Sequence, residues 1–334
     1  MEHVACNLCG ADDARVRFPS TLDAASQSRP WESFRCTHDG YGRHYRIVAC
    51  LRCGLAYADP RPSAAEILGR YSRVEDPLYL EELEGRRLTF ERHLQGLERF
   101  RRPPGCLLDV GACTGALVEV ASRRGWQALG LEPSAWAVSQ AVARGLRVQQ
   151  GALESHSLPE EAWDVVTLWD VIEHLPDPAL ALSRSFRLLR PGGLLVVHTM
   201  DADSVLARLA GPRWPWLMEM HLYYYSRRTL AAALRRAGFE VLGSAAQGRY
   251  LRLGYLASRL GGLLGPAAGR VSGRVLGALR LSGRPLLLNL GDLVTCFAVR
   301  PASGRGDHDL EAAQRHDTAG AAQLEPHAVA AGRP

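Results

Sequence analysis

The strongest constraint on the fold is the run beginning at Cys106, where a short apolar stretch meets a glycine turn and then a helical pattern. Cys106-Leu107-Leu108-Asp109-Val110 reads as a buried strand, Gly111-Ala112-Cys113-Thr114-Gly115 as a tight turn, and 116–124 as a helix. The alternation continues with a strand at 127–131 ending in Glu132, a helix at 134–144, strands at 147–149 and 163–169, and a helix at 178–189. Pro191-Gly192-Gly193 is expected to break that helix before a strand at 194–199. Strands joined through helices must run parallel, with helices on both faces of the sheet. Ligands of such sheets bind beyond the carboxyl ends of the strands. That rule singles out 109–115, Glu132, 152–154, 170–174 and the loop after Thr199.

Composition narrows the chemistry. The chain has no lysine, so all 40 of its Lys-plus-Arg residues are Arg, which excludes Schiff-base chemistry and a lysine-bearing phosphate loop. A pyrophosphate-binding turn takes Gly-x-Gly-x-x-Gly, whereas Gly111 is followed by Ala112 and Cys113 and the next glycine is Gly115. Asp109 before the turn and Glu132 at the end of the next strand place carboxylates where a cationic, phosphate-free ligand would sit, and Glu132 can accept from two ribose hydroxyls.

Through Leu108 to Gly115, Gly130-Leu131-Glu132-Pro133, Trp163-Asp164-Val165-Val166 and Leu189-Arg190-Pro191-Gly192-Gly193-Leu194, the chain resembles the class I S-adenosylmethionine-dependent methyltransferases. The resemblance implies a Rossmann-like α/β fold with a seven-stranded, mostly parallel sheet whose last strand is antiparallel. It implies cofactor contacts from Asp109, Gly111, Ala112, Cys113, Thr114, Gly115, Glu132, Pro133, Trp169 and Asp170. Two positions depart from the pattern. Cys113 replaces the middle glycine of the usual loop, and Ala152 replaces the acidic residue that often meets adenine, leaving adenine to backbone groups at Ala152 and Leu153 or to Glu154.

Methyl transfer from a sulfonium is an in-line displacement, so the protein must align donor and acceptor and remove a proton. Asp170-Val171-Ile172-Glu173-His174 follows the fourth strand, and His221 lies in Glu219-Met220-His221-Leu222-Tyr223-Tyr224-Tyr225-Ser226 after a Trp- and Pro-rich loop. His174, His221 and Glu173 are the candidate catalytic residues. Asp170, Glu173, His174 and His221 together could instead hold a divalent metal, similar to the acidic-x-x-Glu-His motif of ubiquinone-type O-methyltransferases and some RNA-end methyltransferases. The competing reading is that Glu173 and His174 merely cap and orient a helix.

Five of the eight cysteines fall in the first 53 residues. Cys6-x-x-Cys9-Gly10 and Cys50-x-x-Cys53-Gly54 are two copies of one knuckle, and four such thiolates suit a closed, structural zinc site. Cys36, His38 and His44 lie between them as alternative ligands. The stretch Cys53 to Pro62 is much like the one that ends the two-knuckle segment of bacterial methyltransferases of this type. The expected organisation is a zinc-ribbon module at 1–62, a helical linker at 63–104 with one long helix at 80–102, and a methyltransferase domain at 105–300.

Between Val241 and Gly291 there is no acidic residue, while Arg249, Arg252, Arg259, Arg270, Arg274, Arg280 and Arg284 alternate with apolar residues. This insertion, about 245–291, is expected to form basic amphipathic helices at 250–264 and 270–281 before the closing strand at 292–299. It reads as a cap over the substrate pocket, a membrane-surface patch or an RNA-binding face, with nucleic acid least favoured because stacking aromatics are few. The tail from 301 is expected to be disordered. The start Met1-Glu2-His3-Val4 carries no basic-then-apolar signal, so the expected location is cytoplasmic, with peripheral membrane contact through the insert. The expected reaction is methylation of a small-molecule, glycan or lipid-linked acceptor at oxygen, carbon or nitrogen. An RNA methyltransferase and a non-catalytic, zinc-organised interaction protein are the alternatives.

Overall fold

A computed structural model describes residues 1–22 and 31–302. The tail of the preceding section lies outside the described residues from 303 onward. Three N-terminal strands, β1 (Ala14–Phe18), β2 (Ile47–Cys50) and β3 (Ala56–Ala58), form an antiparallel sheet. The knuckles flank β1 and β2 and fold alike. Gly10 N donates to Cys6 O at 2.8 Å and Gly54 N to Cys50 O at 2.9 Å, and both glycines hold the positive φ such turns demand, 74° and 81°.

The helix after this sheet, Ala64–Tyr71, starts at a capping box in which Ser63 and Glu66 satisfy each other's backbone N–H. The single long helix expected next is instead two, Pro77–Glu81 and Leu83–Leu97, and the second stops well before Pro103. Glu82 stands between them with φ −92° and ψ 6°, and its carboxylate accepts from Arg252 Nη2 of the insert at 2.6 Å.

The central sheet comprises β4 (Cys106–Val110), β5 (Gln127–Glu132), β6 (Val148–Gln150), β7 (Trp163–Trp169) and β8 (Leu189–Met200), all parallel. The chain then forms β9 (Tyr223–Tyr224), β10 (Glu240–Ala246), the pair β11 (Arg249–Arg252) and β12 (Pro285–Leu288), and the closing strand β13 (Leu293–Val299). The spatial order is β10-β13-β8-β7-β4-β5-β6, with β13 antiparallel to both neighbours. This is the seven-stranded sheet that the class I resemblance implies, with its insertion before the last strand. Leu107, Leu108, Val165, Val166 and Leu168 are almost fully buried, as strands covered on both faces must be. Pro191-Gly192-Gly193 does not separate helix from strand as expected. The helix ends at Leu188, β8 begins at Leu189 opposite Trp163, and a register shift between Trp163 and Val165 absorbs the three residues.

The sheets are joined. Strand β9 pairs Tyr223 with Tyr57 and Tyr224 with Ala56, so a segment following β8 becomes the fourth strand of the N-terminal sheet. The insert lies against the helix Leu83–Leu97. Gly85 permits this approach, because a Cβ there would stand 2.9 Å from Tyr250 O. Within the insert, helices Leu253–Leu264 and Pro266–Ala278 are framed by the β11–β12 pair, which the sequence pattern did not suggest.

Candidate active site

The turn after β4 turns back on β5. Gly111 N and Ala112 N both donate to Leu131 O, at 2.8 and 3.1 Å, which places the turn beside the end of β5. Gly111, Cys113 and Gly115 all have positive φ, 70°, 48° and 79°. A Cβ on Gly111 would meet Val171 Cγ2 at 2.5 Å, so this position takes glycine for both conformation and space. Glu132 is buried, and its two oxygens accept from Cys113 N at 2.8 Å and Ser134 N at 2.9 Å. Burial outweighs these two bonds and pushes its carboxyl up to about 7. Asp109 is buried in the sheet, accepts from the Thr167 hydroxyl at 2.8 Å, and is pushed up to about 7 by the same cause.

Ala112, Thr114 and Leu153 are buried and Pro133 and Ala152 partly so; Ala152 O is engaged by the amides of Ser155 and His156. Thr114 Oγ1 and Trp169 Nε1 are buried without a partner. The Trp169 ring is stacked on His93 at 4.7 Å. Sequence reasoning missed Arg86. Its guanidinium lies 3.5 Å from the Tyr79 ring centre, its Nε is buried with no hydrogen-bond partner, and it forms no ion pair among the described residues. Its electrostatic neighbours include Cys36 and Cys113, so this uncompensated cation borders the turn. Among so many arginines, only the missing carboxylate distinguishes it, and sequence does not record that.

Just after β7 and just before β9 in the chain, Glu173, His174 and His221 bring ligand atoms within 4.8 Å of one another. Asp170 does not join them. It has a positive φ of 55°, and its carboxylate faces Arg249 Nη2 at 3.2 Å and His198 Nε2 at 3.8 Å, with Arg249 foremost among the groups holding its pKa down to about 2. The proton positions of the two histidines follow from their partners. His221 Nδ1 is 2.6 Å from Trp216 O and His174 Nδ1 is 3.0 Å from Met220 O. A carbonyl only accepts, so each Nδ1 carries the hydrogen and each Nε2 keeps its lone pair. Burial lowers both histidine pKa values, that of His221 to about 3. Glu173 is buried with Oε2 unpartnered, and burial and nearby Asp170 push its carboxyl up to about 8. Tyr71 OH lies 2.8 Å from His174 Nδ1.

The thiols of Cys6, Cys9, Cys50 and Cys53 form a second group, with Cys6 and Cys53 sulfurs 3.4 Å apart and Cys9 and Cys50 sulfurs 3.5 Å apart. Four thiolates ~2.3 Å from one tetrahedral zinc stand about 3.8 Å apart, so the spacing fits such an ion. The alternative ligands are elsewhere: Cys36 is beside Cys113, His38 is near Arg259, and His44 Nδ1 donates to Tyr45 O at 2.7 Å.

Residues 82–243 match the family described as a methyltransferase domain. Over 132 residues the chain is 33% identical to a ubiquinone biosynthesis O-methyltransferase of Bradyrhizobium, covering 35% of this chain and 51% of that protein. Over 104 residues it is 37% identical to the Aeromonas salmonicida protein of the same description, covering 29% and 44%. The chain thus spans about half the length of these relatives. A solved structure of a SAM-dependent methyltransferase from Thermotoga maritima, a possible histamine N-methyltransferase, aligns at 22% identity with a TM-score of 0.46, covering 70% of this chain and 99% of that one.

Proposed function

With residues 82–243 forming a methyltransferase domain, we propose that the chain transfers the methyl group of S-adenosylmethionine to a hydroxyl of a small-molecule or lipid-linked acceptor. The observation that carries the acceptor chemistry is the Glu173, His174 and His221 group beyond β7, which offers two imidazole lone pairs in a buried setting. The ubiquinone O-methyltransferase relatives support oxygen as the acceptor atom.

The turn 111–115, with its positive-φ residues and the Glu132 carboxylate, fits the cofactor's methionine and ribose portions. The unpaired Arg86 guanidinium fits its carboxylate. Adenine would meet Ala152, Leu153 and Glu154, whose Oε1 is buried and unpartnered. When bound, the cofactor supplies a methyl group already activated by the sulfonium. The protein's part is alignment, exclusion of water and removal of the hydroxyl proton. Burial keeps His174 and His221 neutral, so either Nε2 can accept that proton. Glu173 with the two imidazoles also fits a divalent cation, which would lower the pKa of an acceptor hydroxyl. The four thiols take zinc in a closed, structural site.

Peripheral contact with a membrane is supported by the helix Pro266–Ala278 and the turn after it, where Val271, Val275 and Leu279 are exposed at helical spacing beside Arg270, Arg274 and Arg280. No helix among the described residues is long and apolar enough to cross a membrane.

The test is calorimetric titration with S-adenosylhomocysteine, followed by turnover of a catechol with and without chelator. Glu132→Ala removes a charged hydrogen-bond acceptor and should cost about 3 kcal/mol, roughly a hundredfold in Kd. No binding by folded wild-type protein overturns the methyltransferase reading. Undiminished turnover after complete chelation overturns the divalent cation alone.

A further inference from the structure

The insert carries a buried guanidinium without a counter-charge among the described residues. Arg259, on the helix Leu253–Leu264, is 9% exposed, and its Nη2 donates to Thr37 O at 2.6 Å. Its guanidinium carbon stands 4.4 Å from the Tyr255 ring centre, and its Nε is buried with no partner. The Tyr41 hydroxyl is a further hydrogen-bonding neighbour. Among the described residues no carboxylate lies within ion-pair distance, and the sequence from Val241 to Gly291 contributes none. By contrast Arg249 faces Asp170, and Arg252, on the same insert, faces Glu82.

A guanidinium removed from water without an anion is costly to fold, and two polar contacts to neutral oxygens leave its charge unanswered. Arg259 also sits close to the cofactor turn. Thr37, which it holds, follows Cys36, whose thiol meets Cys113, and Tyr255 has both Arg259 and Arg86 among its charged neighbours. In the reading above Arg86 is answered by the cofactor's carboxylate, and among the insert's arginines Arg259 is the one that is buried with no such answer among the described residues.

We propose that Arg259 and Tyr41 form an anion subsite beneath the insert, and that the acceptor carries a carboxylate or phosphate group received there. The proposal rests on the methyltransferase reading for the word acceptor, but not for the existence of the anion site. A planar guanidinium can offer N–H groups to two oxygens of one anion at once, a geometry that suits both a carboxylate and a phosphate.

The experiment titrates wild-type protein, alone and saturated with S-adenosylhomocysteine, with sodium benzoate and separately with sodium phosphate at constant ionic strength. Saturable binding of at least one anion is expected, weakened at least tenfold by Arg259→Gln and in part restored by Arg259→Lys. Arg274→Gln, a solvent-exposed arginine of the same insert, should leave it unchanged. The arm that binds identifies the source, carboxylate or phosphate. Should Arg259→Gln fail to fold, Tyr41→Phe removes one hydroxyl and is expected to weaken the same anion severalfold. The proposal is overturned if neither anion binds the wild type, or if binding survives in the folded Arg259→Gln protein or is unchanged by Tyr41→Phe. S-adenosylhomocysteine binding is read separately: anion binding without it retains the subsite and removes the methyltransferase reading.

Discussion

Glu132 connects the cofactor turn to solution pH. Its carboxyl titrates near about 7 in the folded protein, whereas an unfolded glutamate titrates near ~4.3. Between those values the folded chain keeps a proton that the unfolded chain has released, so this residue's contribution to stability falls as pH rises across the interval and is flat above it. Cofactor binding runs the other way. In the proposed site ribose hydroxyls would donate to the ionised carboxylate, so S-adenosylhomocysteine affinity should rise by up to about tenfold per pH unit until pH ~7 and then level off. Asp109 titrates in the same range, so the comparison is with Glu132→Gln, in which the part of the slope due to Glu132 should vanish. Equal slopes in the two proteins, measured by titration from about pH 5.5 to about pH 8, would count against a contact between Glu132 and the ribose.

At the scale of elements, legibility followed how local each signal was. The strands β4, β5 and β7 are apolar runs bounded by turns, so their sequence windows suffice. Pro191-Gly192-Gly193 misled because a register shift against β7 accommodates it, and only the neighbouring strand reveals that. The β11–β12 pair escaped notice because its strands are separated by two helices. Within the site, the turn and Glu132 were readable from spacing, while Arg86 and Arg259 were not, since lacking a partner is a property of three-dimensional surroundings. The helix Pro266–Ala278 was expected to be amphipathic, and Val271 and Val275 are 63% and 52% exposed, unlike apolar residues that pack against a core. If this face rests on lipid, the protein should float with vesicles containing anionic phosphatidylserine, and float less with neutral vesicles or high salt. Replacing Val271, Val275 and Leu279 with serine should abolish flotation without changing the melting temperature, because these exposed side chains contribute little to packing. Equal flotation of that variant would remove the membrane reading of the insert.

Across the whole molecule, the cysteine knuckles are tied by hydrogen bonds and strand pairing to the segments that carry Glu173 and His221. Asn7, inside the first knuckle, exchanges hydrogen bonds with Asp177 and Ala179 at 2.9 Å each, and buried Arg61 holds Pro176 O and Tyr223 OH at 2.8 Å each. The strand pairing of β3 with β9 fixes Tyr223 and Tyr224, just after His221, while Glu173 O accepts from Leu222 N and Tyr223 N. The N-terminal sheet therefore acts as an outer support for the segments that carry Glu173 and His221. Supporting residues of this kind typically affect activity by about tenfold to a hundredfold. Cys50→Ser should leave three thiolates, lower the melting temperature and depress kcat/KM for the acceptor within that range, while the affinity for S-adenosylhomocysteine, set mainly by β4, β5 and their turn, changes far less. The discriminating measurement is the pair of constants on the same zinc-depleted preparation. Full acceptor turnover with zinc absent by metal analysis would mean that the knuckles stabilise only their own sheet, and a parallel collapse of cofactor binding would mean that they support the whole domain rather than the Glu173 and His221 face.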